Sequence, residues 1–146
     1  MKKNITVLFG GIMAILFIYY SMQDKKNVNK EALEDLNLQL IGIVYKIDDP
    51  GNFNGTGIAN LKIISSSIKN YDPRGKQDYY YCLIKNGQAE IYSPHVKDLT
   101  FGDTVFIDTK SKIIRYKYNG SLVKGNIFVN TSSRFYDYIK RHHQKL

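Results

Sequence analysis

The side chains that could do chemistry are few in this sequence, and the histidines among them are poorly placed for it. His95 follows Pro94 in a predicted loop, and His142 and His143 are adjacent near the C-terminus. Adjacent residues on a helix point about 100° apart, so the pair is badly oriented to chelate a metal ion. The sequence therefore predicts no metal site.

The carboxylates and the glycine-rich segment have simpler roles in turns. Asp48, Asp49, Asp103 and Asp108 lie at predicted turns or strand ends, where Asp is common. The stretch GNFNGTG, residues 51–57, lacks the Lys-Ser/Thr pair and the following helix of a phosphate-binding loop. No nucleophile with its base, and no acid pair, can be named. We expect a protein that is not an enzyme and uses no cofactor.

The net charge of +8 lies at the two ends of the chain. Residues 1–30 carry a net +4 and residues 134–146 a net +3, which leaves +1 for residues 31–133. A domain that binds nucleic acid normally concentrates Lys and Arg on one face. The near-neutral middle argues against nucleic acid as a partner.

The N-terminal segment predicts a transmembrane signal anchor over residues 1–22. Residues 5–22 carry no charge, and a helix of that length is about 27 Å long, close to the roughly 30 Å hydrocarbon core of a bilayer. No A-x-A-like cleavage site follows, so we expect the anchor to be retained. The predicted location is the cytoplasmic (inner) membrane, single-pass, with the domain outside. The predicted lipid contacts are Ile5, Leu8, Phe9, Ile12, Ile15, Leu16, Phe17 and Ile18.

Two hairpins can be predicted with their register. In the first, Asn86 and Gly87 form a two-residue turn that pairs Cys82 with Ile91. Alternation then divides the side chains between two faces. The predicted inward set is Tyr80, Cys82, Ile84, Ala89 and Ile91. The opposite face carries three tyrosines that are candidates for a binding surface: Tyr79, Tyr81 and Tyr92.

The second hairpin turns at Asn119 and Gly120. This register pairs Tyr116 with Val123 and Arg115 with Lys124. The predicted inward residues are Ile114, Tyr116, Val123 and Ile127. Three basic residues face outward and join the candidate binding face: Arg115, Lys117 and Lys124. The like charges of Arg115 and Lys124 would repel across the strands unless solvated or bound to an anion.

Between the hairpins, a turn pattern resembles a known kind of small β domain. Leu99, Gly102, Asp103 and Val105 form L-x-x-G-D-x-V, which is similar to the turn that enters a strand in many OB-like and SH3-like β-barrels. The chain also resembles small membrane-anchored or secreted bacterial proteins with such a domain. The resemblance implies an architecture and carries no function with it. Seven predicted strands exceed the five of a plain OB-fold.

These features predict a mainly β protein. The N-terminal transmembrane helix is followed by a linker with a short helix over residues 23–37, a small antiparallel β-barrel (OB-like or SH3-like) over 38–133 and a short basic amphipathic helix over 134–146. Ser133 is the predicted cap of that last helix. Phe135, Tyr138, Ile139 and His142 form its apolar stripe, which we expect to dock on the β domain.

Two functions remain open from the sequence. The first is a non-enzymatic β domain of the cell envelope, which contacts another envelope protein or a glycan through its tyrosines. A simpler interpretation of these tyrosines is that they are ordinary strand residues covered by another part of the fold. The alternative is an OB-like domain facing the cytoplasm that binds nucleic acid through tyrosine stacking and the outward basic residues.

Overall fold

The computed structural model describes residues 2–51, 53 and 55–143, with side chains from residue 11 onward. The helices and strands, in chain order, are α1 Lys2–Asn29, β1 Gln39–Asp48, β2 Gly57–Ser66, β3 Cys82–Lys85, β4 Gln88–Ser93, β5 Thr104–Asp108, β6 Ile113–Tyr118, β7 Ser121–Asn126 and α2 Ser133–His142. A π-helical turn over Lys30–Glu34 continues α1, and a 3-10 helix over Pro94–Asp98 follows β4.

The strands form one antiparallel sheet in the order β3-β4-β2-β1-β5-β6-β7. The protein is therefore mainly antiparallel β with a helix at each end, as predicted. The predicted closed barrel is wrong, because in the described part of the chain the sheet is open, with β3 and β7 as its edges. Helical segments cover apolar parts of the sheet, which is the alternative to closing a sheet on itself.

The N-terminal helix forms but differs from the predicted anchor and linker. It continues to Asn29, so the polar residues 23–29, part of the predicted linker, are helical. From Gln23 onward it is polar and carries Asp24, Lys25 and Lys26. None of the helices in the described residues is long and apolar enough to cross a membrane, so the predicted transmembrane span is not found.

The main core lies on one face of the sheet, under the end of the N-terminal helical segment. Ala32 and Leu33 of the π-helical turn are buried there. The backbone N–H of Leu38, just before β1, donates to the Thr109 hydroxyl at 2.8 Å. The strands contribute aliphatic side chains to this core, among them Leu40, Leu61, Ile84, Ile91, Ile107 and Ile114. The helical segment is thus joined to the sheet by buried apolar contacts.

The C-terminal helix docks on the β domain, as predicted, and it lies on the face of the sheet opposite the main core. The set of buried residues differs from the predicted apolar stripe. Ser132, not Ser133, is the N-cap residue. The buried residues are Phe135, Tyr136, Ile139 and His143, whereas Tyr138 is half-buried and His142 is exposed. The Tyr136 hydroxyl donates to the Tyr80 carbonyl at 2.7 Å and accepts from the Tyr80 N–H at 3.0 Å. These two hydrogen bonds help to fix Tyr136 on the side of α2 that contacts the sheet.

Both predicted hairpin registers are confirmed. Cys82 pairs with Ile91, and Arg115 pairs with Lys124. The predicted division of side chains between the two faces is confirmed for the residues of β3 and β4, but not for the tyrosines that precede β3. Tyr81 lies in the main core and Tyr80 under α2, the reverse of the prediction. The period of two applies only inside a strand, and β3 begins at Cys82.

Burial of Cys82 leads to a labelling prediction. The side chain has no exposed surface, and burial raises the pKa of its thiol to about 12. Because the thiolate is the nucleophile, we expect native protein to react with a thiol reagent far more slowly than protein unfolded in guanidinium. Colour release from an aromatic disulfide reagent measures both rates. Fast native labelling would show that Cys82 is not buried in solution.

Candidate functional site

The predicted tyrosine face does not exist as a surface. Tyr81 and Tyr92 are buried, and Tyr79 is half-buried against the ring of Tyr136 with centroids 5.5 Å apart. Tyr92 packs edge-on against Phe135 of α2 at 5.7 Å. The simpler interpretation, that another part of the fold covers these tyrosines, is the correct one. Buried rings are not available to stack on a nucleotide base or a sugar.

The predicted basic residues are exposed and lie close together. Arg115 and Lys117 on β6 and Lys124 on β7 all face solvent, and Arg115 lies directly opposite Lys124. The guanidinium of Arg115 also lies 5.1 Å from the centre of the Phe106 ring on β5. A cation over an aromatic face gains about 0.5–1 kcal/mol at an exposed site, which gives Arg115 a structural partner.

A buried ionic cluster, which the sequence did not predict, joins the end of α2 to the sheet. His143 Nδ1 lies 2.9 Å from Glu90 Oε2, and His143 Nε2 lies 2.9 Å from Asp48 Oδ2. The Tyr138 hydroxyl donates to the same Asp48 oxygen at 2.7 Å. Tyr92 donates to Glu90 Oε1 at 2.8 Å. The imidazole is therefore held between two carboxylates.

The charges in this cluster follow from that arrangement. The hydrogen bond with Glu90 raises the pKa of His143, burial opposes it, and Asp48 adds to the rise. Burial also opposes ionisation of Asp48, but hydrogen bonds from Tyr138 and His143 lower the pKa of its carboxyl. An imidazolium can donate from both ring nitrogens, which matches the two acceptors. The cluster fastens the helix to the sheet.

Sequence reasoning missed this cluster because its members are far apart in the chain. Glu90 and His143 are separated by 53 positions, and Asp48 and His143 by 95. The sequence predicts a turn or strand end at Asp48, and alternation with the inward residues Ala89 and Ile91 predicts that Glu90 faces outward. The one available signal was a carboxylate among apolar and aromatic residues in β4, which requires a partner when that face is covered.

A second histidine contacts the other half of the sheet. His95 Nε2 lies 2.9 Å from the Asn126 carbonyl, and Nδ1 lies 3.3 Å from the Tyr116 hydroxyl. That hydroxyl donates to Asp98 at 2.9 Å, and burial together with Asp98 raises the pKa of Tyr116 to about 12. A side chain on Gly125 would overlap the His95 ring. Both nitrogens of His95 thus have structural neighbours.

Metal ligation finds no support in the described part of the chain. No group of three or more His, Cys, Asp or Glu side chains there has an arrangement that could hold a metal ion.

Most of the exposed large apolar side chains among the described residues lie on α1. The exposed fraction is 74% for Phe17, 68% for Ile15 and 65% for Tyr20. The other strongly exposed large side chains of this segment are Ile12, Met13, Leu16, Ile18, Tyr19 and Met22. The side chains of Ile5, Leu8 and Phe9 lie outside the described residues. Because consecutive positions are exposed, the apolar surface surrounds the helix instead of forming one stripe.

His95, His143 and Glu90 make contacts inside the domain, whereas the apolar surface of α1 has no cover from the described part of the chain. Comparison of the whole chain with protein-family models, with curated proteins and with solved structures gives no match.

Proposed function

We propose that this protein is a non-enzymatic β domain that associates with a lipid bilayer through α1 and has a binding or structural role in the cell envelope. The observation that carries the proposal is the apolar surface of α1 between Ile12 and Met22, exposed on every side. Contiguous exposed apolar surface of this kind marks a contact with a membrane or another protein.

The distribution of residues around α1 favours lipid over a second helix. A coiled-coil partner requires apolar residues in a narrow seam, with polar residues elsewhere. Lipid imposes no such restriction. Tyr19 and Tyr20 follow the aliphatic residues, and Lys25 and Lys26 follow them in turn. Aromatic rings and then lysines are the usual order at the boundary between hydrocarbon and headgroups.

The non-enzymatic role is supported by the engagement of the ionisable groups. His143 and Glu90 are buried in the cluster under α2, and His95 is held by the chain around Asn126. These contacts have a stabilising purpose without a reaction. We place the domain on the outer side of the cytoplasmic membrane, where an envelope protein or a glycan is the partner.

The test is flotation of the full chain with phospholipid vesicles. We expect wild-type protein to float with the vesicles, and Phe17→Asp to reduce its partition at least about tenfold, because burial of a Phe contributes roughly 1.5–3 kcal/mol. The matched control is Leu122→Asp on β7, since Leu122 is 73% exposed and Phe17 is 74% exposed. Equal flotation of the two variants, or wild-type protein that stays in solution as an oligomer, would contradict the proposal.

A further inference from the structure

The two edges of the open sheet differ in how their backbone groups are used. At the β3 edge, the Tyr71 N–H donates to the Ile84 carbonyl at 2.8 Å, and the Ile84 N–H donates to the Tyr71 carbonyl at 2.8 Å. This bridge occupies part of that edge. The other edge is β7, which pairs with β6 on its inner side. A free edge presents N–H and C=O groups that can pair with another extended chain.

The register of the β6–β7 hairpin determines which backbone groups of β7 face outward. A two-residue turn joins the strands, so the flanking pair, Tyr118 and Ser121, exchanges hydrogen bonds. Along the ladder, such pairs alternate with pairs whose N–H and C=O point away from each other. Leu122 and Lys124 belong to the second kind. Their N–H and C=O groups therefore face the open edge.

A histidine marks the end of this open edge. Asn126 follows Lys124 in the same outward phase, and its carbonyl lies 2.9 Å from His95 Nε2. The backbone groups of Leu122 and Lys124 have no such partner among the described residues. The open part of the edge is thus a short segment that can pair with one added strand.

The side chains beside the open segment are basic. Arg115 and Lys117 of β6 and Lys124 of β7 are exposed on the face of the sheet opposite the main core. The one carboxylate in β5, β6 and β7 is Asp108, which already accepts hydrogen bonds from the N–H and hydroxyl of Ser111. Carboxylates on an added strand would offset the repulsion between Arg115 and Lys124.

We propose that the β7 edge binds an extended segment of a partner protein that carries carboxylates at alternate positions, an inference that rests on the binding role proposed above. The backbone of the segment pairs with the outward N–H and C=O groups of Leu122 and Lys124. Every second side chain of an added strand lies on the same face as Lys124. The paired backbone gives affinity, and the basic residues select an acidic segment.

The edge matches an acidic peptide better than two other occupants. A second copy of the chain, paired through β7, would bring the basic residues of both copies onto one surface, where like charges repel. A single strand of nucleic acid has no row of N–H and C=O groups to match those of β7. It relies on stacking against aromatic rings, and Tyr81 and Tyr92 are buried.

The test titrates the full chain, held in a nonionic detergent, with two synthetic hexapeptides that have blocked ends. One alternates Val with Glu, and the other alternates Val with Lys. We expect the Glu peptide to bind at least about tenfold more tightly than the Lys peptide. In NMR spectra it should shift the amide signals of Leu122 and Lys124, and leave those of Tyr71 and Ile84 at the other edge unchanged.

A backbone variant separates pairing from side-chain contact. Leu122→Pro removes an outward N–H that takes no part in the ladder with β6, and Pro is tolerated at such positions of edge strands. It should weaken binding of the Glu peptide at least about tenfold, because one hydrogen bond and the close approach of the added strand are lost. Leu122→Val keeps the N–H and should bind within about twofold of wild type.

A charge variant tests the selection and carries the test if Leu122→Pro fails to fold. Lys124→Glu should remove the preference for the Glu peptide, because it reverses the charge beside the added strand. The matched control is Lys85→Glu, which makes the same change at an exposed position of the other edge strand and should keep the preference.

Several results would overturn the proposal: equal binding of the two peptides, amide shifts that spare Leu122 and Lys124, or binding unchanged by Lys124→Glu. A peptide-free dimer that Leu122→Pro dissociates would identify a second copy as the occupant instead. Tighter binding of a single-stranded oligothymidylate at the same amides would identify nucleic acid. Vesicle flotation reports on α1 and the peptide titration on β7, so failure of this inference is distinguishable from failure of the bilayer association.

Discussion

Replacing Phe135 with alanine is expected to destabilise the folded domain by about 3–5 kcal/mol, the usual cost of truncating a buried Phe. Its side chain is fully buried between α2 and the sheet and contacts the rings of Phe53, Tyr92 and Tyr136 at centroid distances of 5.4–5.7 Å. The loss removes the centre of the contact between α2 and the sheet. Thermal unfolding followed by circular dichroism should show a midpoint lower by at least about 10 °C.

The matched control for Phe135 is its exposed neighbour. Arg134→Ala changes the same turn of α2 and should alter the free energy of unfolding by no more than about 0.5 kcal/mol. If Phe135→Ala and Arg134→Ala unfold at the same temperature, α2 does not dock on the sheet in solution.

The second large effect is expected from His143→Ala. Removing one partner of a buried ion pair leaves an uncompensated charge and costs about 3–5 kcal/mol. The lower end applies here, because the Glu90 side chain is 3% exposed while the Asp48 side chain is 29% exposed and keeps part of its hydration. Chemical denaturation should show the loss, and His142→Ala, at an exposed position, is the control. Equal losses in the two variants would mean that the cluster does not hold the helix.

The same cluster sets the direction of the pH dependence. The raised pKa of His143 means that its contribution is complete below the unfolded value of about 6.5 and is lost as pH rises through the folded pKa. The lowered pKa of Asp48 means that its contribution is complete above about pH 3.9 and is lost as pH falls through the folded pKa. The cluster is therefore most stabilising between about pH 4 and 6.5. An NMR titration of the His143 ring with a midpoint below 6.5 would contradict this sign.

The local features of the fold were accessible from the sequence because short-range chemistry determines them. Asn-Gly turns set the register of both hairpins, and the residues of those turns adopt positive φ, with 53° at Asn86 and 50° at Asn119. The turn at Gly102 also adopts a positive φ, and β5 begins at Thr104. Cys82 is inward because it lies in a strand whose alternation the turn defines.

The predictions that were wrong all depend on which faces of the sheet the helices cover. An open sheet and a closed barrel share the same strand pattern, and the choice depends on whether helices cover the apolar faces. Tyr92 of β4 alternates with inward residues as a side chain on an outward face would, but α2 covers that face and buries it. The sequence spacing predicts that Tyr138 and His142 face the sheet, whereas the tertiary contacts of Tyr136 and His143 decide which side of α2 is buried.

By itself, the sequence determined the strands, the two hairpin registers, the apolar character of the N-terminal segment and the existence of a C-terminal helix, because each depends on neighbours within a few residues. Only the tertiary structure decided the open sheet, the burial of the tyrosines and the His143 cluster. The cluster joins residues as far apart as Asp48 and His143, which are separated by 95 positions. Contacts over such separations leave no periodic signal in a single sequence, since they arise only when packing brings the segments together.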